Sequence, residues 1–375
     1  MNCKQAMPLT AVTIGGAMVD TIATIDDALI ERMSMNNAGK TFLLLEQGSK
    51  TEASNISTHC GGGAVNSAIA LARLNFKVSI IAKVGDDERA QVVRQALDAD
   101  SISMKGLIKT SSAPTGASAI VSAHDRNAAI FTFRGANTTL CQADISQDEL
   151  AADLIYVSAL SGASAAVLQM IVRQARGKCQ NIVVNPGLRQ ISTRFDQLRD
   201  SLPSISIFAL NRHEAEAFVR QAVAELSGIE NATLRRIAAN TLTPNDIAEG
   251  NHRAETASAL IEGLRHMGAR TVLLTDGKYG AYCGHQGETL FCPAVESEVV
   301  STAGAGDAFV STFAGIFTAT HNIEYALLAA TTNASAVVKA VDSQSGLLQI
   351  DKLQQQLQEV SCNLKVTKTI SKQYQ

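Results

Sequence analysis

The 375-residue sequence carries no surplus of charge of one sign, no long apolar run and no clustered cysteines, and each absence removes a class of function. Thirty-two Lys and Arg stand against 35 Asp and Glu, a net charge of -3. Binding to a phosphate backbone draws on a basic stripe, so nucleic acid is not expected as a partner. The longest apolar stretches, such as 308–320, are interrupted by Ser and Thr. They fall short of the ~18 to 20 residues that span a bilayer, so no membrane segment is expected. Between Lys4 and Asp20 the chain is uncharged, in the outline of a secretory leader, but it ends in Ile14-Gly15-Gly16-Ala17-Met18-Val19-Asp20. That ending reads as a buried strand running into a loop, and a cytoplasmic location is expected. Cys3, Cys60, Cys141, Cys179, Cys283, Cys292 and Cys362 form no C-x-x-C pair and have no His at zinc-finger spacing. Free thiols are therefore expected rather than a disulfide or metal framework.

With 46% hydrophobic residues, the chain has ample material for a large core. Short β-branched runs alternate with Ala- and Leu-rich helical patterns, the rhythm of an α/β protein with a largely parallel sheet. Strands are predicted at 11–14, 78–84, 154–157, 182–184, 205–209 and 271–275. Helices are predicted at 64–74, 90–98, 163–175, 212–224, 255–267, 307–319 and 323–341. Two segments break the rhythm: 41–60 is polar, and 115–134 holds two alternating stretches around His124-Asp125-Arg126-Asn127, the pattern of a hairpin. Such strands suit a small flap over the open end of the sheet. The tail 367–375 is expected to fray.

Three glycine clusters bear on function. Gly61-Gly62-Gly63-Ala64-Val65-Asn66 opens a helical pattern and partly imitates a dinucleotide fingerprint. It departs where Asn66 replaces the Gly or Ala needed for tight packing, and a polar segment precedes it in place of a buried strand. A structural turn and a polar ligand site with Asn66 pointing inward both remain open. Ala38-Gly39-Lys40-Thr41 resembles the end of a Walker A loop, but Ser34 stands where the first glycine is required, which excludes a P-loop. The third cluster, Ser301-Thr302-Ala303-Gly304-Ala305-Gly306-Asp307, precedes a helical stretch. Small residues at a helix start expose backbone N–H groups to an anion, and the helix dipole adds positive charge. Asp307 then sits within reach of a hydroxyl attacking a bound phosphoryl group.

In order and spacing these clusters resemble the signatures of the ribokinase-like (PfkB) carbohydrate kinase family. The first runs from Gly61 through Val84-Gly85-Asp86-Asp87, and the second is Thr302-Ala303-Gly304-Ala305-Gly306-Asp307. Between them Asn211-Arg212-His213-Glu214 matches N-x-x-E, and Thr275-Asp276-Gly277-Lys278-Tyr279-Gly280 matches T-x-G-x-x-G. The resemblance covers about residues 10 to 350. It implies a three-layer α/β/α fold with a mostly parallel central sheet and a small β lid, and ATP-dependent phosphorylation of a hydroxyl on a sugar or sugar-like molecule. By resemblance Asp307 is the base, and Gly304, Ala305 and Gly306 form the anion hole. Asp20, Gly61, Gly62 and Asn66 cradle the sugar. Asn211 and Glu214 stand near the ATP phosphates, with Glu214 holding Mg²⁺ through water. Thr275, Gly277 and Gly280 form the nucleotide loop, and Asn333 lies beside the adenine. Read without the family, Asn211 and Glu214 are a surface i, i+3 pair.

The pattern departs at Ser301, where the family often has an Asp supporting a monovalent-cation site; potassium activation stays open, with carbonyls around 338–345 as remaining donors. Ala90 replaces a Gly, and 341–347 lacks the usual G-A-x. The expected layout is a core of 10–40, 61–112 and 137–362, a discontinuous lid of 41–60 and 113–136, and a surface insertion at 225–252. Lid edges with unpaired strands suit a homodimer. Alternatives are a nucleoside kinase using Phe42, Phe131 and Phe133, a phosphosugar kinase using Arg134, Arg126 or Lys50, a non-catalytic nucleotide or sugar sensor, and an NAD-dependent oxidoreductase.

Overall fold

The computed structural model describes residues 8–369 except 30, 36–39, 45–47, 49, 124–127, 223–231, 239–249 and 363. The strands in chain order are β1 Thr10–Gly15, β2 Met18–Ile25, β3 Glu31–Met35, β4 Lys40–Leu44, β5 Ala53–Gly61, β6 Lys77–Gly85, β7 Ser103–Thr110 and β8 Gly116–Ala123. They continue with β9 Ala128–Phe133, β10 Leu154–Val157, β11 Asn181–Val184, β12 Ile207–Asn211, β13 Thr271–Thr275, β14 Ala281–His285, β15 Glu288–Cys292 and β16 Thr367–Thr369. A ten-stranded sheet runs β16-β15-β14-β13-β12-β11-β10-β1-β6-β7, parallel from β13 to β7 and antiparallel beyond β13.

Inside the edge strand β7, the parallel strands are largely apolar and buried on both faces, as sheets covered by crossover helices require. Successive side chains feed opposite cores. Leu154 and Tyr156 of β10 join the layer holding helices Gly63–Arg73 and Ala305–Thr320. Ile155 and Val157 join the layer holding Leu168–Ala175 and Arg212–Gln221. This is the three-layer arrangement the sequence predicts.

A separate four-stranded sheet, β5-β2-β8-β9, forms the lid. The β8–β9 pairing is antiparallel, as the alternation on either side of residues 124–127 requires; that turn lies outside the described residues. Two boundaries differ from the expected layout. β2, grouped by its sequence with the core, pairs with β5 and β8 at the centre of the lid, because the chain leaves the core at Gly15-Gly16 immediately after β1. Within 41–60, β5 joins the lid, whereas β4 pairs with β3 in a two-stranded sheet whose Leu43, like Val121 of the lid, packs on Ile25. Helix Ala232–Ala238, inside the expected surface insertion, buries Leu234 and Ile237 in the core, as its i, i+3 spacing permits. The flanking 225–231 and 239–249 lie outside the described residues. Thr367–Thr369 of the expected frayed tail adds β16 to the sheet edge, because its backbone groups pair with β15. Among the described residues no helix is long and apolar enough to cross a membrane.

The signature Gly85-Asp86-Asp87 pins the lid to the core. Asp87 caps helix Glu88–Ala99 by accepting from the Ala90 N–H at 3.1 Å. It also accepts from the Thr115 N–H at 2.7 Å and the Thr115 hydroxyl at 2.6 Å, one residue before β8. Thr115 Oγ1 in turn accepts from the Gly85 N–H at 2.9 Å. Burial opposes the ionised form of Asp87, but the Thr115 and Ala90 donors outweigh it and hold the carboxyl below its ordinary range. A depressed folded pKa means that this stabilisation is present at neutral pH and is lost as pH falls through the folded value. Asp87→Ala is expected to cost about 1–2 kcal/mol at pH 7. Urea unfolding at pH 7 and in acid should show the deficit shrinking in acid, and a deficit independent of pH contradicts this account.

Candidate active site

Parallel strands gather their carboxyl ends on one edge, where open α/β sheets bind ligands. Gly16 follows β1, Ser158 follows β10, Asn185 follows β11, Asn211 ends β12 and Thr275 ends β13. Two cavities lie there. One, of about 240 Å³, lies under the lid between Met18, Thr132 and Arg134 and the core residues Gly62, Asn137 and Ser158. The other, of about 230 Å³, is walled by Asn211, Glu214, Thr275, Gly304, Gly306 and Val310. Ala159, Asn185 and Asp307 line both.

Asp307 occupies the first turn of helix Ala305–Thr320, which starts at Gly304 in the left-handed region with φ 76°. A side chain on Gly304 would place Cβ 2.3 Å from Ser343 Cβ, so the loop closes this tightly only with glycine. At Gly306 an added Cβ would meet nothing within 4 Å, so space lies open over the backbone there. Burial pushes the Asp307 carboxyl above its ordinary value, and the Asn66 amide partly offsets this by donating to Oδ2 at 2.9 Å.

Asn66 is buried, and its Oδ1 accepts from Ser343 Oγ at 2.9 Å and Gln344 Nε2 at 3.1 Å. The side chain points inward, as one sequence reading has it, but its bonds fix Asp307 and the 343–344 loop. Asp20 lies in a row of residues in register across the lid, His59, Asp20, Ser118 and Thr132, and its Oδ1 accepts from the Ser118 hydroxyl. Burial raises its pKa, with Ser118 and His59 acting in the opposite direction. Gly61 faces it: an added Cβ would fall 2.1 Å from Asp20 Oδ2. Gly62, with φ 98°, packs so closely on Gly16 that a Cβ would lie 2.5 Å from the Gly16 carbonyl oxygen.

Asn211 and Glu214 form a reciprocal capping box. Asn211 Oδ1 accepts from the Glu214 N–H, and Glu214 Oε2 from the Asn211 N–H, both at 2.9 Å. The N-x-x-E pattern thus has a structural role in addition to lining the second cavity. Burial raises the Glu214 pKa, against the Asn211 hydrogen bonds. In the T-x-G-x-x-G loop, Gly277 has φ 55° and open space around it. Gly280 has φ 111°, and an added Cβ would lie 2.3 Å from the Cys292 carbonyl oxygen. Asn333 departs from the expected adenine contact: it is fully buried, donating to Thr312 Oγ1 at 2.8 Å and accepting from the Leu348 N–H at 3.0 Å. Those bonds tie two helices to the loop after them. Ser301 Oγ accepts from the Ala303 N–H at 3.2 Å, and the Val338 carbonyl accepts from the Val300 and Ser301 N–H groups.

Sequence reasoning missed Asn185, Ser158 and Asn137. Asn185 lines both cavities with Asp307, donating to the Ala209 carbonyl at 2.9 Å and accepting from the Tyr156 hydroxyl at 3.4 Å. The available signal was a polar residue directly after a fully buried strand, on the edge where ligands bind.

Residues 20–350 match the family profile described as pfkB family carbohydrate kinase. The deoxyribokinase of Salmonella typhi is 26% identical over 342 residues, 90% of this chain and 98% of that protein. Among solved structures, Thermotoga maritima ribokinase superposes with a TM-score of 0.71 at 18% identity, covering 93% of this chain and 99% of the other. Arabidopsis thaliana ribokinase complexed with ribose and ATP gives 0.70 at 19% identity, covering 94% and 99%. At those identities the structures speak for the fold.

Since the Asn66 N–H bond favours the ionised form of Asp307, Asn66→Ala is expected to raise its titration midpoint further. Carboxyl NMR titration, with the signal assigned by its loss in Asp307→Asn, checks this. A downward shift contradicts the electrostatic role assigned to Asn66.

Proposed function

The chain belongs to the pfkB family of carbohydrate kinases, and from that premise we propose that it transfers the terminal phosphoryl group of ATP to a hydroxyl of a sugar bound under the lid. The observation that carries the reading is the position of Asp307 in the shared wall of two adjoining cavities. A base at that boundary takes the proton from a hydroxyl on the lid side while the phosphoryl group approaches from the other, the arrangement an in-line displacement needs. Burial raises its pKa, which makes it a stronger base than an ordinary carboxylate.

The backbone N–H of Gly306, and that of Ala305, whose bond to the Thr302 carbonyl is long at 3.4 Å, offer donors to the transferring group at the positive end of a 16-residue helix. Gly304 shapes that loop. On the same reading Asn211, Glu214 and Thr275 face the nucleotide phosphates, and Gly277 and Gly280 set the turn of the nucleotide loop. Asp20, with Gly61 making room for it and Gly62 packed on the Gly16 backbone, accepts sugar hydroxyl protons, and the lid excludes water.

Among the described residues no three His, Cys, Asp or Glu side chains gather into a metal cage. One or two carboxylates beside phosphate oxygens is the donor set Mg²⁺ accepts, and Glu214 with its second oxygen outside the capping bonds fits it. When bound, Mg²⁺ neutralises charge on the phosphates. Ser301 contributes no charge to a monovalent-cation site.

The sugar reading is preferred to a nucleoside one because Phe131 and Phe133 alternate with the cavity-facing Thr132, which turns both rings away from the substrate. With Ile56 they leave a largely exposed apolar face, at 62%, 54% and 67%, suited to burial against a second copy's lid. Asp307→Asn is expected to lower turnover by about 10²–10⁴-fold. Its melting temperature should be unchanged or raised, because a buried ionised carboxylate is removed. Coupled measurement of ADP release with sugars checks this, and near-normal turnover sinks the mechanism.

A further inference from the structure

The lid cavity holds one guanidinium that no carboxylate among the described residues neutralises. Arg134 follows β9, and by the alternation of that strand it shares the face of Thr132, with which it lines the cavity. The close approach depends on Gly116, where an added Cβ would lie 2.3 Å from Asn137 Nδ2 and 3.0 Å from the Arg134 carbonyl oxygen. Arg134 is half-buried and donates through Nη1 to the neutral Ser161 Oγ at 2.9 Å. Among the described residues it makes no ion pair. Arg73 pairs with Asp100, and Arg212 and Arg253 with Asp276, whereas Arg134 is the one arginine in the lining of this cavity.

Asp307 is the other charged residue in this lining, and the two do not approach within ion-pair distance, so a substrate fits between opposite charges. A guanidinium withdrawn from water without a counter-ion is costly, and a negative group on the ligand removes that cost. The planar fork of Arg also matches a carboxylate or phosphate in two parallel hydrogen bonds. Beside it, Asn137 Oδ1 is occupied by the Ala17 N–H at 2.9 Å, which leaves the amide N–H groups as donors on the cavity side.

Resting on the phosphotransferase reading above, we infer that the acceptor is an anionic sugar whose carboxylate or phosphate sits on Arg134, away from the hydroxyl that faces Asp307. Like-charge repulsion from Asp307 and attraction to Arg134 together set the orientation. A neutral pentose leaves the guanidinium unpaired and lacks this anchor.

The test measures ADP release by the full chain with neutral pentoses and hexoses, keto-deoxy sugar acids and sugar monophosphates, in the wild type, Arg134→Gln and Arg134→Lys. The wild type is expected to show its highest kcat/KM on an anionic sugar, and whether acids or phosphates are accepted identifies the source of the charge. Arg134→Gln is expected to lower the anionic-to-neutral ratio of kcat/KM about 100-fold, chiefly through KM, and Arg134→Lys to restore part of it. Preference of the wild type for a neutral sugar overturns the inference. So does an Arg134→Gln variant that loses activity on neutral and anionic sugars alike, the result of a merely structural tie to Ser161. If the variants do not fold, the wild-type panel decides alone. If no compound releases ADP, the phosphotransferase reading fails, and thermal shifts of the wild type decide the anionic one: stabilisation by anionic sugars beyond neutral ones supports it, and equal or absent shifts overturn it.

Discussion

The hydrogen bond from Asn66 to Asp307 joins residues 241 positions apart and is the contact on which the site depends. Asn66 stands in the first turns of the helix that follows the glycine run, Asp307 in the first turn of the helix that follows the third glycine cluster. The other end of the same amide holds Ser343 and Gln344, and Gln344 also donates to the Cys60 carbonyl of β5. One buried amide thereby relates the proposed base, the closing loop against Gly304, and the lid strand that carries Gly61. A buried polar side chain of this kind is tolerated only when its bonds are made, which gives the arrangement a single solution.

The near-neutral charge of the chain fits this construction. On the proposed reading, a nucleotide at this edge would meet backbone N–H groups and a helix start, which act at short range and need no basic surface. Glycine is required at Gly61 and Gly62 for a different reason than at Gly304: the first two make room for Asp20 and the Gly16 backbone, the third for Ser343. The lid completes the substrate side because β2 leaves the core directly from the end of β1, so Asp20 stands a few residues from the sheet edge that carries Asn185 and Asn211.

Much of the core was legible because strands buried on both faces are continuous β-branched runs; β10 and β13 match their predicted bounds. β2 was not, since Asp20, Thr21 and Thr24 break the apolar pattern of a strand whose pairing is set by distant β5 and β8. That Asp307, Glu214 and Thr275 meet in one cavity was foreshadowed because each sits in a local motif beside a helix start or strand end. Asn185, Asn137 and Ser158 were not, because each comes singly from a different strand end or turn, and only folding brings them to one cavity. The structural ties of Asn333 were not legible, because an Asn in an Ala-rich helix carries no local sign that it will bond Thr312 and the Leu348 N–H.

The central claim is that Asp307 separates a nucleotide side from an acceptor side. It is tested most directly by a crystal structure of the chain with a non-hydrolysable ATP analogue and Mg²⁺. The account predicts the terminal phosphate in the cavity walled by Gly304, Gly306, Asn211 and Thr275, within hydrogen-bond reach of the N–H groups at the start of helix Ala305–Thr320. A nucleotide whose phosphates instead occupy the cavity beneath the lid, beside Met18 and Thr132, would contradict it.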